Sequence, residues 1–317
     1  MRIHGIMLVK DEVDVIGETL EAAVAWCDAI YVFDNGSRDG TWEQVQAFAR
    51  RSDRVIPYRQ AGTPFSQSLR GEVFRYYRDR ARPGDWWCIL DGDEFYVDDP
   101  RVFLSAVPSR FGEVWSASYQ YYFTDDDLRR YEVAPEAFLS TPVTERLRYY
   151  LNNWSESRFM RHHTGLVWPR DRDGHPGYRR PLGLGATFPR RIRLKHYQYR
   201  SPEQMQRRLD SRMAITTSYR HEHQPDWLAH LLGREVPPEV LAEVVGGAPS
   251  GRPGAPSWRD RLVPAAYLHY DAGDGQLEPD EAALPPIPTD RYGVRRAKHQ
   301  ARATYWRVRE AIARPAR

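Results

Sequence analysis

The sequence predicts an α/β fold built on a mostly parallel sheet. Over the first hundred residues, short apolar runs alternate with segments of helical periodicity. Helices between successive strands are typical of βαβ units, in which the strands run parallel. The chain has 317 residues, about two average domains, and 41% of them are apolar against 28% charged. This composition excludes a disordered, collagen-like or disulfide-scaffold chain.

The N-terminal strands and helices can be assigned in order from the period of their apolar residues. Strands are predicted at residues 3–9, 29–33, 55–58 and 86–90. Between them, apolar residues recur at spacings of three and four, which places them on one face of a helix. These predicted faces consist of Val13, Ile16, Leu20, Val24 and Cys27, then Trp42, Val45 and Phe48, then Leu69, Val73 and Tyr76.

The remainder of the chain predicts a different organisation. Strands are expected at residues 114–123 and 190–197, and helices at 202–219 and 226–245. Residues 246–256 are rich in Gly, Pro, Ala and Ser, which is typical of a linker. We therefore expect a catalytic domain at residues 1–220 and a helical C-terminal extension at residues 221–317.

The formal charge of +3 is unevenly distributed. Residues 288–317 carry nine Lys and Arg against two Asp and Glu, a net charge of +7, so the rest of the chain carries −4. Aromatic and aliphatic residues are interspersed with these charges, as in amphipathic helices that lie on anionic membranes. We expect a peripheral membrane contact here or a solvated helix that packs on the body, and we regard nucleic-acid binding as unlikely.

The two cysteines and the apolar runs bear on the compartment. Cys27 and Cys88 both lie in apolar patterns, so we expect them to be buried, reduced and structural. No apolar run approaches the roughly 20 residues of a membrane span, and the N-terminus does not resemble a signal peptide. These observations favour a cytoplasmic protein.

Polar and acidic loops follow three of the predicted strands. They are Lys10-Asp11-Glu12, Asp34-Asn35-Gly36-Ser37 and Asp91-Gly92-Asp93. In parallel sheets, ligands bind beyond the carboxyl ends of the strands. The convergence of these loops is therefore the main functional signal, although a solvated turn or a helix cap is the alternative for each loop alone.

The residue types in these loops suit a cation and a nucleotide. Asp91 and Asp93, separated by Gly92, can both reach one small divalent cation, which prefers oxygen ligands and shares them with phosphates. Arg70 could neutralise a diphosphate. His196, at the end of a later strand, could complete the metal site, and a mixed oxygen and nitrogen set suits Mn²⁺ better than Mg²⁺.

Taken in order, these motifs resemble those of family 2-type glycosyltransferases, in particular a bacterial branch. The resemblance covers roughly residues 1–220 and includes the segment Lys195–Ser201. The motifs are Val9-Lys10-Asp11-Glu12, Phe33-Asp34-Asn35-Gly36-Ser37-Arg38-Asp39-Gly40-Thr41 and Trp87-Cys88-Ile89-Leu90-Asp91-Gly92-Asp93-Glu94-Phe95.

The resemblance implies the GT-A fold, an αβα sandwich with an Asp-x-Asp metal site. It also implies transfer of a sugar from a nucleotide-sugar, with UDP as the commonest nucleotide and with inversion. The resemblance implies that Val9, Lys10 and Glu12 border the donor base, that Asp34 and Asn35 contact the base or ribose, and that Arg70 faces the base or diphosphate. It also implies that Asp91 and Gly92 line the donor site and that Asp91 and Asp93 bind the metal. His196 is implied as a late metal ligand or a diphosphate contact.

The general base is the open assignment, because the sequence lacks a clear Glu-Asp pair at the family's usual place. We favour Glu156, whose aromatic neighbours could wall a sugar site, with Asp125 second and Asp126 and Asp127 behind it. The alternative, with at least equal weight, is that Glu156 pairs with Arg158 or caps a turn. The aromatic residues of the middle segment could stack on sugars but are more often core; they are Tyr119, Tyr121, Tyr122, Trp154 and Trp168.

Two other functional classes compete with this interpretation. A dehydrogenase needs a glycine-rich turn after the first strand, where this chain has Lys10-Asp11-Glu12. A nucleotidyltransferase also uses metal-binding carboxylates and is harder to exclude; it would release pyrophosphate. A membrane-binding module acting through the basic tail is the non-enzymatic alternative.

Overall fold

The protein is described from a computed structural model, which covers residues 1–66, 68–170, 179–213, 227–233, 237, 257–288 and 294–313. The chain divides into two compact units. The first comprises Met1–Ser118, Asn153–Leu194 and Pro279–Arg317, and the second comprises Tyr119–Asn152 and Lys195–Glu278. The expected linker at 246–256 lies outside the described residues.

The strands and helices follow in chain order. The strands are β1 (Ile3–Val9), β2 (Ala29–Asp34), β3 (Val55–Gln60), β4 (Trp86–Asp91), β5 (Glu94–Tyr96), β6 (Phe111–Tyr121), β7 (Tyr149–Trp154), β8 (Ser157–Arg161), β9 (Ala186–Thr187), β10 (Ile192–His196) and β11 (His269–Tyr270). The helices are α1 (Ile16–Val24), α2 (Thr41–Ala49), α3 (Leu69–Tyr77), α4 (Pro100–Ser105), α5 (Asp125–Val133), α6 (Pro135–Ser140), α7 (Val143–Arg146), α8 (Pro202–Met213), α9 (Trp227–Leu232) and α10 (Val294–Ala313).

The sheet of the first unit has a parallel centre, as the sequence predicts. Strand β1 lies between β2 and β4, β3 pairs with β2, and all three pairs are parallel. The register sets Val9 beside Asp34 and Leu8 beside Asp91. The carboxyl ends of β1, β2 and β4 therefore meet at one edge. Beyond β4 the sheet continues with antiparallel β8.

Both faces of this sheet are covered, which is why β1 is buried along its whole length. Ile3, Met7 and Val9 belong to one apolar cluster, which also contains Ile16 and Leu20 of α1. Ile6 and Leu8 belong to the other cluster, which contains residues of α3. Alternate side chains of a strand point to opposite faces, so a central parallel strand needs apolar residues throughout.

The predicted apolar face of α3 is wrong at one position. Tyr76 is 69% exposed, whereas Tyr77 is buried and its ring stacks on Tyr31 at 3.9 Å. The buried face runs through Arg70, Val73, Phe74 and Tyr77. A polar residue on this face, Arg70, hid the correct phase of the helix from an argument based on apolar spacing.

The cysteines lie as the sequence predicts. Cys27 and Cys88 are buried and free. Burial raises the pKa of the Cys27 thiol to about 12 and that of Cys88 well above its ordinary value. Among the described residues, no helix combines the length and apolar character needed to cross a bilayer.

The second unit is held by buried tyrosines and an ion pair. Strands β7 and β11 form an antiparallel pair with Tyr149 beside Tyr270. Asp271 accepts hydrogen bonds from the Tyr121 hydroxyl and, at 2.5 Å, from Lys195 Nζ. Burial raises the pKa of Tyr121 far above its ordinary value. Helix α5 starts at a capping box in which Thr124 and Asp127 bond reciprocally.

Candidate active site

The loops after β1 and β2 form one hydrogen-bonded layer at the carboxyl edge of the sheet. The backbone N–H of Asp11 donates to Ser37 Oγ at 2.9 Å, and that of Glu12 donates to Thr41 Oγ1 at 2.8 Å. In return, the N–H of Arg38 donates to Asp11 Oδ1 at 2.9 Å. The two loops that the sequence predicts to converge are thus rigidly linked.

Asp34 and Asn35 shape this layer from below. Asp34 Oδ1 accepts from the backbone N–H groups of Gly36 and Ser37 at 2.9 and 2.7 Å, which closes the turn after β2. Asp34 is fully buried and Asn35 is 2% exposed. The Asn35 side chain lies 3.2 Å from Thr63 Oγ1. Both residues therefore support the turn in this structure.

Gly92 packs the third loop against the first two. A Cβ at this position would lie 3.0 Å from Cγ1 of Val9 and 3.6 Å from Cγ of Glu12, so only glycine allows this approach without a shift. The Gly92 carbonyl oxygen accepts from Thr19 Oγ1 at 2.7 Å. Lys10 is exposed, whereas Asp93 is 3% exposed.

Arg70 reaches Asp91 from helix α3. Its Nη2 donates to Asp91 Oδ1, although 21 residues separate the two in sequence. The Arg70 side chain is 7% exposed and the Asp91 side chain 23%. The structure thus joins two residues that the sequence proposed separately.

Arg158 gathers three carboxylates around one nitrogen. Its Nη2 donates to Glu94 Oε1, to Glu156 Oε1 at 2.8 Å and to Asp91 Oδ2 at 3.1 Å. We call Asp91, Glu94, Glu156, Arg158 and Arg70 the arginine–carboxylate cluster. The pairing of Glu156 with Arg158 that the sequence left open is therefore present.

The electrostatics of the cluster follow from its burial. Burial lowers the pKa of Arg158, but attraction from Glu156, Glu94 and Asp91 outweighs this and holds the pKa well above its ordinary value. Arg158 is 1% exposed, so its charge is compensated almost entirely by protein groups. A buried guanidinium of this kind is stable only with such partners.

The fit of a divalent cation can be judged from the donor atoms. Oxygens of Asp91, Glu94 and Glu156 lie within 4.8 Å of one another, a donor set that suits hard cations. Arg158 Nη2 lies among these same three oxygens. Among the described residues, this group of close carboxylates includes Asp91 but neither Asp93 nor His196, the two further ligands that the sequence predicts.

The other candidate residues lie in the second unit. Asp125 Oδ1 accepts from the backbone N–H of Ala265 at 2.7 Å, and Asp126 accepts from the Tyr149 hydroxyl at 2.6 Å. Asp127 caps α5, and burial raises its pKa to about 6. His196 ends β10 and is half-buried.

The aromatic candidates separate into core and surface. Four of them are buried, as expected for core residues rather than for a sugar-stacking surface: Tyr119, Tyr121, Tyr122 and Trp168. Trp154 is 47% exposed and its indole nitrogen donates to Glu156 Oε1 at 3.0 Å. Only Trp154 of this group stands beside a candidate catalytic carboxylate.

Sequence reasoning missed Glu94 and the bonds of Arg158 to Asp91 and Glu94. Glu94 follows Asp93 directly, and Arg158 lies two residues beyond Glu156. The apolar neighbours of Arg158 were the available signal, because it shares a buried strand with Phe159 and Met160. A fully buried arginine requires carboxylate partners.

Comparison with known proteins agrees with this geometry. Residues 6–103, which run from β1 into α4, match the family model described as glycosyl transferase family 2. This match supports a glycosyltransferase, and the mixed α/β sheet with its parallel centre agrees with the GT-A fold. Over this segment the chain is similar to glycosyl transferase family 2.

Two solved structures are similar in part. The mannosyltransferase PcManGT from Pyrobaculum calidifontis, in complex with GDP-Man and Mn²⁺, is 13% identical; the match covers 99% of this chain and 76% of that one, with a TM-score of 0.37. TarS 1-349 of S. aureus is 15% identical; the match covers 38% of this chain and 36% of that one, with a TM-score of 0.25. No curated protein sequence matches the chain significantly.

Proposed function

We propose that the chain transfers a sugar from a nucleoside diphosphate sugar, with UDP as the nucleotide, to an acceptor hydroxyl. The transfer inverts the anomeric centre in a single displacement and requires a divalent cation, Mn²⁺ or Mg²⁺. One observation carries the proposal: within the segment that matches the family, the carboxyl ends of β1, β2 and β4 meet, and Asp91 there is bound by Arg70.

The donor site of this proposal lies along the three converging loops. Val9, Lys10 and Glu12 border the base, and Gly92 lines the donor site by letting the third loop pack against Val9 and Glu12. Asp34 and Asn35 act on the base or ribose through the turn that they hold. Arg70 acts at the base or diphosphate through its side chain or through Asp91.

The acceptor side is assigned to Glu156. Its carboxylate takes the proton of the acceptor hydroxyl as that oxygen attacks the anomeric carbon. The bond from this carbon to the diphosphate oxygen breaks, and its electron pair leaves with the nucleoside diphosphate. Glu156 is favoured over Asp125 because its carboxylate joins the cluster of Asp91, whereas Asp125 accepts from the Ala265 backbone.

The cation is assigned to Asp91 and Asp93. His196 is retained from the sequence as a candidate late ligand or diphosphate contact. When bound, the cation offsets the charge that builds on the leaving diphosphate. Arg70 and Arg158 each donate to one oxygen of Asp91, so the cation would share this carboxylate with two guanidinium groups.

A panel of nucleotide-sugars tests the proposal. UDP-, GDP-, dTDP- and CMP-sugars are incubated with the protein and Mn²⁺, and release of the nucleotide is measured with and without chelator. We expect release from a UDP-sugar that chelator abolishes and that Asp93→Asn lowers at least 100-fold, within the usual range for metal and acid–base groups.

Three results of this panel would argue against the proposal. Release from no donor excludes sugar transfer from these nucleotides. Release unaffected by chelator excludes the cation. Pyrophosphate release from nucleoside triphosphates, measured in a coupled assay, favours the nucleotidyltransferase instead.

A second, independent proposal concerns helix α10. Its residue Ala303 is buried, and a Cβ at Gly183 would lie 3.4 Å from the Cβ of Ala303, so one side of the helix packs against another segment of the first unit. Tyr305 and Val308 are 57% and 56% exposed, and Lys298 and Arg302 are exposed nearby. A basic helix with exposed apolar groups suits an anionic membrane surface, and we propose peripheral contact of residues 288–317 with such a surface.

A further inference from the structure

Arg158 connects two turns that are far apart in sequence. Asp91 and Glu94 flank the turn between β4 and β5, whereas Glu156 lies between β7 and β8. A single nitrogen of Arg158 bonds to all three. The relative position of Asp91 and Glu156 is thus set by one guanidinium.

Charge balance makes this guanidinium necessary. Three carboxylates with oxygens within 4.8 Å repel one another strongly in a partly buried site. Arg158 and Arg70 supply two positive charges against these three negative ones. Without Arg158, this repulsion would drive the three carboxylates apart.

Solvent exposure decides which residues of the arginine–carboxylate cluster can contact a substrate. The side chains of Arg158 and Glu94 are 1% and 0% exposed, whereas those of Asp91 and Glu156 are 23% and 36% exposed. Arg158 is therefore shielded from a substrate and acts through the carboxylates of Asp91 and Glu156, which it binds.

The free oxygen of Glu156 is selected by its contacts. Oε1 accepts from Arg158 Nη2 at 2.8 Å and from Trp154 Nε1 at 3.0 Å. Among the described residues, no hydrogen bond engages Oε2. The two donors on Oε1 leave Oε2 as the oxygen available to an acceptor hydroxyl.

We propose that Arg158 is a positioning residue for sugar transfer. It fixes the carboxylate of Glu156, the proposed base, relative to Asp91 on the donor side. The inference rests on the proposed function. A displacement of about 1 Å in such a pair costs on the order of 100-fold in rate, so Arg158 controls turnover without touching a substrate.

A double-mutant cycle tests this role. Wild type, Arg158→Met, Glu156→Gln and the double variant are compared for kcat and donor KM with the active nucleotide-sugar of the panel. We expect each single variant to lower kcat by about 100-fold and the double variant to be no worse than the poorer single one, because both remove the same function. Arg158→Lys should recover part of the loss.

Two further variants separate an effect on folding from an effect on turnover. Loss of Arg158 removes a charge partner from the buried Glu94, so Arg158→Met is also made with Glu94→Gln and checked by thermal unfolding. If this pair folds like wild type and still has the low kcat, the loss is one of positioning. Arg146→Lys changes a buried arginine that donates to the carbonyl oxygens of Leu139 and Thr141 in the second unit, and it should keep full turnover.

Two results would overturn the inference while leaving the proposed function intact. In one, the folded Arg158→Met/Glu94→Gln variant turns over like wild type. In the other, the effects of Arg158→Met and Glu156→Gln on kcat multiply, as for independent sites. A wild-type chain that transfers no sugar overturns the proposed function, and this inference with it.

Discussion

Arg70 Nη2 and Asp91 Oδ1 form a hydrogen-bonded ion pair across 21 residues of sequence. The pair connects the first turn of helix α3 to the end of strand β4. The pair therefore holds the Asp91 carboxylate in place at the edge of the sheet.

Arg70→Met should weaken binding of UDP by about 10- to 100-fold, because a hydrogen bond to a charged group is worth roughly 1.5–3 kcal/mol. Titration calorimetry measures this. Arg75→Met is the matched control on the same helix, since Arg75 donates to the carbonyl oxygen of Trp168. Equal UDP affinities for wild type, Arg70→Met and Arg75→Met would exclude a role of Arg70 in the donor site.

Gly71→Ala should destabilise the fold. A Cβ there would lie 2.6 Å from Cδ1 of Trp168, which is fully buried. Overpacking of this kind costs about 1–3 kcal/mol, measured as the free energy of unfolding in denaturant. Gly62→Ala is the control, because a Cβ at Gly62 meets nothing within 4 Å. Equal losses in the two variants would show that crowding against Trp168 is not the cause.

The fold should lose stability through His4 on acidification. Burial lowers the pKa of His4, although Asp85 lies 3.8 Å away and opposes this. The unfolded chain therefore binds the proton more readily, and stability falls as the pH drops below the ordinary histidine value of about 6.5.

His4→Gln should remove that part of the pH dependence. The comparison is between the unfolding free energies of wild type and variant at several pH values from 7 to 5. The two proteins are compared because Asp127, whose pKa is raised to about 6, contributes stability to the fold on acidification. This contribution cancels in the difference between wild type and variant. Parallel curves for the two proteins would rule out His4 as the source.

Helix α10 should bind anionic vesicles in proportion to its charge. Each basic residue near an anionic surface contributes about 1 kcal/mol, so Lys298→Gln with Arg302→Gln should weaken co-sedimentation on the order of 30-fold. Vesicles of neutral lipid are the control. Equal pelleting of the wild type and of a chain truncated at Pro288 would exclude this membrane contact.

Apolar period and loop chemistry predict the parallel centre of the fold well. The carboxyl ends of β1, β2 and β4 follow directly from apolar runs that end in polar loops. The same reasoning misplaced Tyr76, because a buried arginine interrupts the apolar face of α3. Strands β7 and β8 were not predicted, since their pattern mixes Tyr, Asn and Arg with apolar residues.

The arginine–carboxylate cluster was only partly predictable. Asp91, Glu156 and Arg70 were each proposed from residue type and position, but their meeting depends on strand register and on the turn between β7 and β8. Glu94 and Arg158 pair across 64 residues, a contact that local spacing does not encode. Long-range ion pairs of this kind require the tertiary fold.

Binding of UDP with and without Mn²⁺ tests most directly whether this chain is a metal-dependent, nucleotide-sugar-using glycosyltransferase. Calorimetry is done on wild type and on Asp93→Asn. We predict that Mn²⁺ tightens UDP binding at least 10-fold in wild type and has no such effect in the variant. Absence of UDP binding in wild type, or equal tightening by Mn²⁺ in both proteins, would contradict this function.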